Sequence, residues 1–199
     1  MTNTTDNKNT HNGHAFVDLG LPSGLLWATC NVGASSPEKT GLYFAWGETT
    51  GYTAEQVKDK ERLFSKRTYK AKKICTDLSL EQDAAHAYMG GKWRMPTKVE
   101  IDELTNPNYT TSTWTTDYNG TGVAGRVITS NNNGNSIFLP ASGYCDGSSV
   151  IDTGLCGDYW LSSWISELYT WYLGFFSGYF YIERICRYYG FSVRGVCEK

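Results

Sequence analysis

Residues 157–196, GDYWLSSWISELYTWYLGFFSGYFYIERICRYYGFSVRGV, constrain the chain more than any other stretch. They hold about half of its aromatic residues and no Lys, Asn, Gln, Met, His or Pro. Two short runs alternate. Trp171, Leu173 and Phe175 share one parity, and Tyr172, Gly174 and Phe176 the other. Beyond Ser177-Gly178, Phe180 and Ile182 oppose Tyr179, Tyr181 and Glu183. Successive strand side chains point to opposite faces, so the pattern predicts a hairpin turning at Ser177-Gly178. One face (Leu173, Phe175, Phe180, Ile182) belongs in a core. The other carries tyrosine, phenylalanine and glycine where a soluble protein normally places Lys, Glu and Thr.

Two readings of that second face compete. Strands buried on both sides also read as unbroken apolar runs. Each buried tyrosine hydroxyl, however, needs a hydrogen-bond partner, which is hard to supply for so many in one stretch. Tyrosine also gives rigid, amphipathic contact area at low entropic cost, and a contiguous exposed aromatic patch usually marks an interaction site. The expectation is a binding face. Trp160 and Trp171 would anchor it to the core, and Gly174 would open a gap for a partner side chain or sugar ring.

The rest of the composition narrows the classes. At 199 residues the chain is expected to form one domain with a proper core. A formal net charge of -2 suggests no polyanion partner. The basic residues between positions 58 and 73 are interspersed with acids and read as a solvated loop, not a nucleic-acid patch. No apolar run approaches the roughly 20 residues of a membrane span. The N-terminal MTNTTDNKNTHNGH has no signal-peptide core, and residues 1–14 read as a disordered polar tail.

The folded part is expected from Ala15, with strands over 16–19 and 25–30 and a polar surface insertion over about 52–76. Ser79-x-x-Gln82 fits a capping box for a helix continued by Ala84, Ala85, Ala87 and Tyr88 and ended by Gly90-Gly91. Thr97-x-x-Glu100 fits a second box, with Val99, Ile101 and Leu104 as the packing face. Residues 106–135 read as strands with exposed turns, 136–140 as a buried strand and 191–196 as the closing strand.

Catalytic chemistry is not evident. There is no Walker A loop, GxGxxG or GxSxG. His86 stands alone, and Asp83, Glu100, Asp102 and Glu103 read as helix-surface and capping residues. Asp146, Asp152 and Asp158 read as solvated turn aspartates in preference to Ca²⁺ ligands. Cys30, Cys75, Cys145, Cys156, Cys186 and Cys197 fit no zinc spacing and are expected reduced, so no metal or cofactor is expected. Cys30–Cys197 and Cys145–Cys156 are the pairings to test in an oxidising compartment.

VDLGLPSGLLWATCNVGA (17–34), YFAWGETTGY (43–52), GGKWRMPTKVEIDEL (90–104), IFLPASGY (137–144), YWLSS (159–163) and RYYGFSVRGV (187–196) agree in order and spacing with a known pattern. Together they resemble the Fibrobacter succinogenes major paralogous domain family over about residues 15–197. That family is similar in turn to the formylglycine-generating-enzyme type of C-type lectin fold. The resemblance implies an α+β, C-type lectin-like domain with two short helices, antiparallel strands, paired first and last strands and a loop-rich display surface.

Formylglycine-generating enzymes use paired cysteines, and Cys186 has no partner in a matching motif. The resemblance therefore points to the variable proteins of diversity-generating retroelements, whose C-terminal segment is mutagenised through template adenines. AAY codons reach Tyr, Phe, Leu, Ile, Cys, Gly, Arg, Ser and Asp but not Trp, Glu, Lys, Gln or Met. On that reading Leu168, Tyr169, Tyr172, Gly174, Phe176, Tyr179, Tyr181, Arg184, Ile185, Cys186 and Tyr188 form a diversified ligand-binding surface. Arg184-Ile185-Cys186 would lie in a loop, and Trp164, Glu167, Trp171 and Glu183 would be fixed scaffold. The implied partner is a protein or glycan on a target cell, met by surface or phage-particle display. A non-diversified adhesin or lipoprotein domain is the alternative, and a formylglycine-generating-type enzyme the third reading.

Overall fold

The computed structural model describes residues 9–71 and 73–199. β1 (Thr10–His11), β2 (His14–Asp18) and β3 (Leu26–Asn31) form an antiparallel sheet, joined at its far edge by the closing strand β12 (Arg194–Cys197). Strand pairing thus begins at Thr10, ahead of the expected start at Ala15, while residues 1–8 of the expected tail lie outside the described residues. The closing strand pairs with β3 rather than with the first strand. Arg194 accounts for that choice. Its fully buried guanidinium donates to Asn31 Oδ1 at 3.0 and 2.8 Å and to the carbonyls of Ala28, Thr29 and Phe138 at 2.8–2.9 Å. Its planar fork of donors is met by oxygen dipoles on two neighbouring strands.

The fold has three short helices, one more than expected: α1 (Ala54–Lys58), α2 (Ala84–Met89) and α3 (Lys98–Leu104). The extra one lies in the expected surface insertion, which the structure corrects. Val57, Phe64, Tyr69 and Ile74 are buried there, and Phe64 bridges to Gly147. These apolar residues lie among lysines without strand or helix periodicity, so the pattern hid them.

The Ser79 box serves a 3₁₀ turn over Leu80–Gln82. α2 is capped instead by Asp83, whose Oδ1 accepts from Ala85 N and His86 N while Oδ2 accepts from Met95 N at 2.7 Å. The Thr97 box of α3 forms as expected: Thr97 Oγ1 accepts from Glu100 N, and Glu100 Oε2 accepts from Thr97 N at 2.7 Å. Ile101 and Leu104 are buried, but Val99 is 72% exposed, one residue out of phase with that face.

β4 (Thr110–Thr115), β5 (Gly125–Ser130) and β6 (Ser136–Pro140) make an antiparallel meander, and β7 (Tyr144–Asp146) and β8 (Ser149–Ile151) a small hairpin. The last sheet runs β11 (Phe180–Cys186), β10 (Tyr169–Phe175), β9 (Gly157–Trp164), with β10 central. Arg184, Ile185 and Cys186 end β11 opposite Trp171, Thr170 and Tyr169, and are not in a loop.

Two apolar clusters meet on β10. Leu173 and Phe175 pack with Trp27, Ile101, Leu104 and Tyr159, and Phe180, Ile182 and Trp171 lean on the same cluster, as the alternation predicts. On the opposite face Tyr172 packs with Phe44, Trp46, Trp160 and Phe191. β10 is therefore buried on both sides, and its second face is not an open patch. No helix of the described residues is long and apolar enough to cross a membrane.

Candidate functional site

The second face of the hairpin, β10 and β11, lines a recess of about 330 Å³. Register builds it. Gly174 stands opposite Tyr181 and Thr170 opposite Ile185, so the side chains of Tyr172, Tyr181 and Ile185 share one face across the two strands. Phe176, at the end of the turn, closes one side. Tyr144 from β7, Tyr189 and Phe191 complete the wall, and Asp152, Cys156 and Asp158 add the polar groups.

The wall is a continuous aromatic assembly. Phe191 stacks on Trp160 with centroids 4.2 Å apart, and Tyr172 leans on Phe191 at 5.1 Å. Tyr181 meets Tyr172 edge-on at 5.7 Å and Phe176 at 5.7 Å. Tyr144 contacts Tyr189 at 6.1 Å. Trp160, which carries this column, is fixed by its Nε1 donating to the Phe44 carbonyl at 2.6 Å. Trp160 is thus the expected anchor, and Trp171 anchors the other face.

Gly174 does not leave a gap for a partner. The ring of Tyr181 lies so close over it that a Cβ at position 174 would run into the ring. Tyr172, expected at the surface, is only 8% exposed. Tyr181 from the edge strand β11 covers Gly174, while Trp160 and Phe191 together with Tyr181 cover Tyr172, and a one-dimensional alternation shows neither.

Asp158 is the residue that sequence reasoning misplaced. It lies on β9 opposite Gly174 and is 4% exposed, not a solvated turn aspartate. Tyr181 Oη donates to its Oδ1 at 3.4 Å and Cys156 Sγ to its Oδ2 at 3.6 Å. Burial raises its pKa from 3.8 to about 7, against the small lowering from those two donors. The signal was in the chain: a lone carboxylate at the head of DYWLSSW, in phase with Trp160.

The thiol of Cys156 is pushed up by burial and by Asp158, so it carries no thiolate character at neutral pH. Tyr172 is pushed up to about 12 by burial first and by Asp158 second, and Tyr181 also rises for both reasons. All six cysteines are free.

The expected site residues fall into groups. Tyr172, Phe176, Tyr181 and Ile185 converge on the recess, with Gly174 beneath Tyr181. Tyr179 projects at the hairpin tip, 59% exposed, in contact with Phe176 and Tyr181. Leu168 and Tyr188 line a separate depression of about 280 Å³ with Lys66, Tyr69, Glu167 and Arg187. Arg187 there is structural: its guanidinium lies over Trp46 and donates to the Ile74, Ala71 and Glu167 carbonyls. Tyr169 and Arg184 sit at the far end of the hairpin, the guanidinium 5.7 Å from the ring centroid. Cys186 is half-buried beside them.

Comparison with protein-family models, with curated proteins and with solved structures gives no match for this chain.

Proposed function

We propose that the protein is a non-enzymatic recognition protein with a C-type lectin-like fold, whose C-terminal hairpin presents the ligand-binding surface. One observation carries the reading. Four residues expected to vary, Tyr172, Phe176, Tyr181 and Ile185, converge on one aromatic recess, with Tyr179 projecting beside it. Concave, mostly apolar sites with a few polar groups are where ligands bind. Mostly antiparallel strands with short helices, and a closing strand that joins the sheet of the N-terminal strands, are compatible with the lectin-like resemblance, although β12 pairs with β3 and not with the first strand.

Diversification, as in the variable proteins of diversity-generating retroelements, fits the exposed positions Leu168, Tyr169, Tyr179 and Arg184 best, because changes there disturb no core. At Tyr172 and Gly174 substitution disturbs packing, so the tolerated repertoire is narrower. The raised thiol of Cys156 counts against a nucleophilic role for the one cysteine in the recess.

Sequencing the gene's surroundings tests the diversification. A reverse transcriptase and a near-copy of the segment over about 168–188 are expected beside it. Their absence would leave a non-diversified adhesin-type domain. A library varied at positions 168, 169, 179 and 184 should yield binders to an immobilised protein while the fold persists. A library that only unfolds would sink the display reading.

A further inference from the structure

We infer that the recess takes the head of an alkylammonium cation, the group a lysine side chain presents, with Asp158 as its counter-ion. The inference rests on the recognition reading only for which face meets a ligand. Asp158 is nearly fully buried, yet only a phenol, at a long 3.4 Å, and a thiol donate to its carboxyl oxygens, and both are neutral. No lysine, arginine or histidine forms an ion pair with it among the described residues, and none lines the recess. A buried carboxylate without a cationic partner is costly, and the cost is relieved when a ligand brings the positive charge.

The walls suit the same ligand. Tyr144, Tyr172, Tyr181 and Tyr189 line the same recess as the carboxylate, and ring faces attract ammonium groups through their quadrupole. At about 330 Å³ the space is at the small end of ligand pockets, enough for a side-chain head and its methylenes. An anion would face Asp152 and Asp158 together. A lysine on a partner protein and a free small amine share this head, and the probes below separate the two.

The full chain at pH 8 is titrated with n-butylammonium chloride and with 1-butanol, its neutral counterpart, while the tyrosine ring resonances are followed. The ammonium is expected to saturate and to bind about tenfold or more tightly than the alcohol. Asp158→Asn, which keeps the side-chain shape, should erase that preference. The blocked peptide acetyl-Gly-Lys-Gly-amide serves as a third probe: tighter binding than butylammonium assigns the head to a protein partner, and equal or weaker binding assigns it to a free amine. Equal binding of the alcohol, no saturable shift from any probe, or an undiminished preference in Asp158→Asn would overturn the inference. Should the variant unfold, the ammonium-to-alcohol comparison in the native chain still decides it. None of these failures touches the display reading, which turns on the exposed positions and the gene's surroundings.

Discussion

Tyr181 lies across Gly174, its cross-strand neighbour, and its hydroxyl reaches Asp158 Oδ1 at 3.4 Å. Glycine in a strand interior leaves a bare patch of backbone, and an aromatic ring from the next strand covers it. The pair therefore sets both the depth of the recess and the position of its one polar contact from β11.

Gly174→Ala should dislodge that ring. The new methyl occupies the space of the Tyr181 ring, which must move off Gly174 to make room. The atoms it meets are the far end of the half-buried Tyr181 side chain, so the cost is at the low end of overpacking, about 1 kcal/mol. A urea midpoint lowered accordingly, together with faster chemical labelling of Tyr181, is the expected result. An unchanged midpoint and unchanged labelling would mean that the ring does not rest on Gly174.

Tyr172 and Tyr179 should separate cleanly, although both belong to the expected binding surface. Tyr172 packs among Trp160, Phe191 and Tyr181, so Tyr172→Ala removes a buried ring, a change worth about 3–5 kcal/mol for large aromatics. Tyr179 stands at the tip, and Tyr179→Ala should alter stability by no more than about 0.5 kcal/mol. Denaturant melts of the two variants check this. Equal losses would put Tyr179 in the core or Tyr172 at the surface.

The contrast marks what could be read from the chain and what could not. Parity alone assigns Leu173, Phe175, Phe180 and Ile182 to a core, because a period of two is local. The Thr97–Glu100 box is legible for the same reason: its partners are three residues apart. The burial of Tyr172 depends on Trp160 of β9 and on Phe191 from the segment before β12. Phe64 depends on Gly147, Arg194 on Phe138, and Asp158 on the fold of β11 over β9 and β10. Such contacts leave no periodic trace, so aromatic richness pointed to the right region and to the wrong exposure within it.

Arg194→Lys should be poorly tolerated. The guanidinium satisfies Asn31 and three carbonyls on β3 and β6 at once, and an ammonium on a flexible stem cannot reproduce that fork. Several buried acceptors would lose their donors, at about 1–3 kcal/mol for each group left unsatisfied. A drop in the urea midpoint with loss of hydrogen-exchange protection along β12 is expected. A wild-type midpoint would show that the closing strand is held by its backbone pairing alone.

Asp158 gives the fold a pH dependence of unusual sign for a carboxylate. Its pKa is about 7 in the folded chain against an ordinary 3.8, so between those values the folded state holds a proton that the unfolded state has lost. Stability then falls as pH rises through the window and levels off above about 7. Cys156, Tyr172 and Tyr181 stay protonated throughout, since burial raises all three, and they do not mask the effect. The full displacement corresponds to roughly 4 kcal/mol. Asp158→Asn cannot titrate, so the native chain minus the variant isolates the group. Urea melts at intervals from pH 4 to pH 8 should show that difference declining with pH. A flat difference would mean that the carboxylate is solvated or paired, and a rising one that it is stabilised as the anion. Either result would also remove the unpaired buried charge on which cation binding in the recess depends.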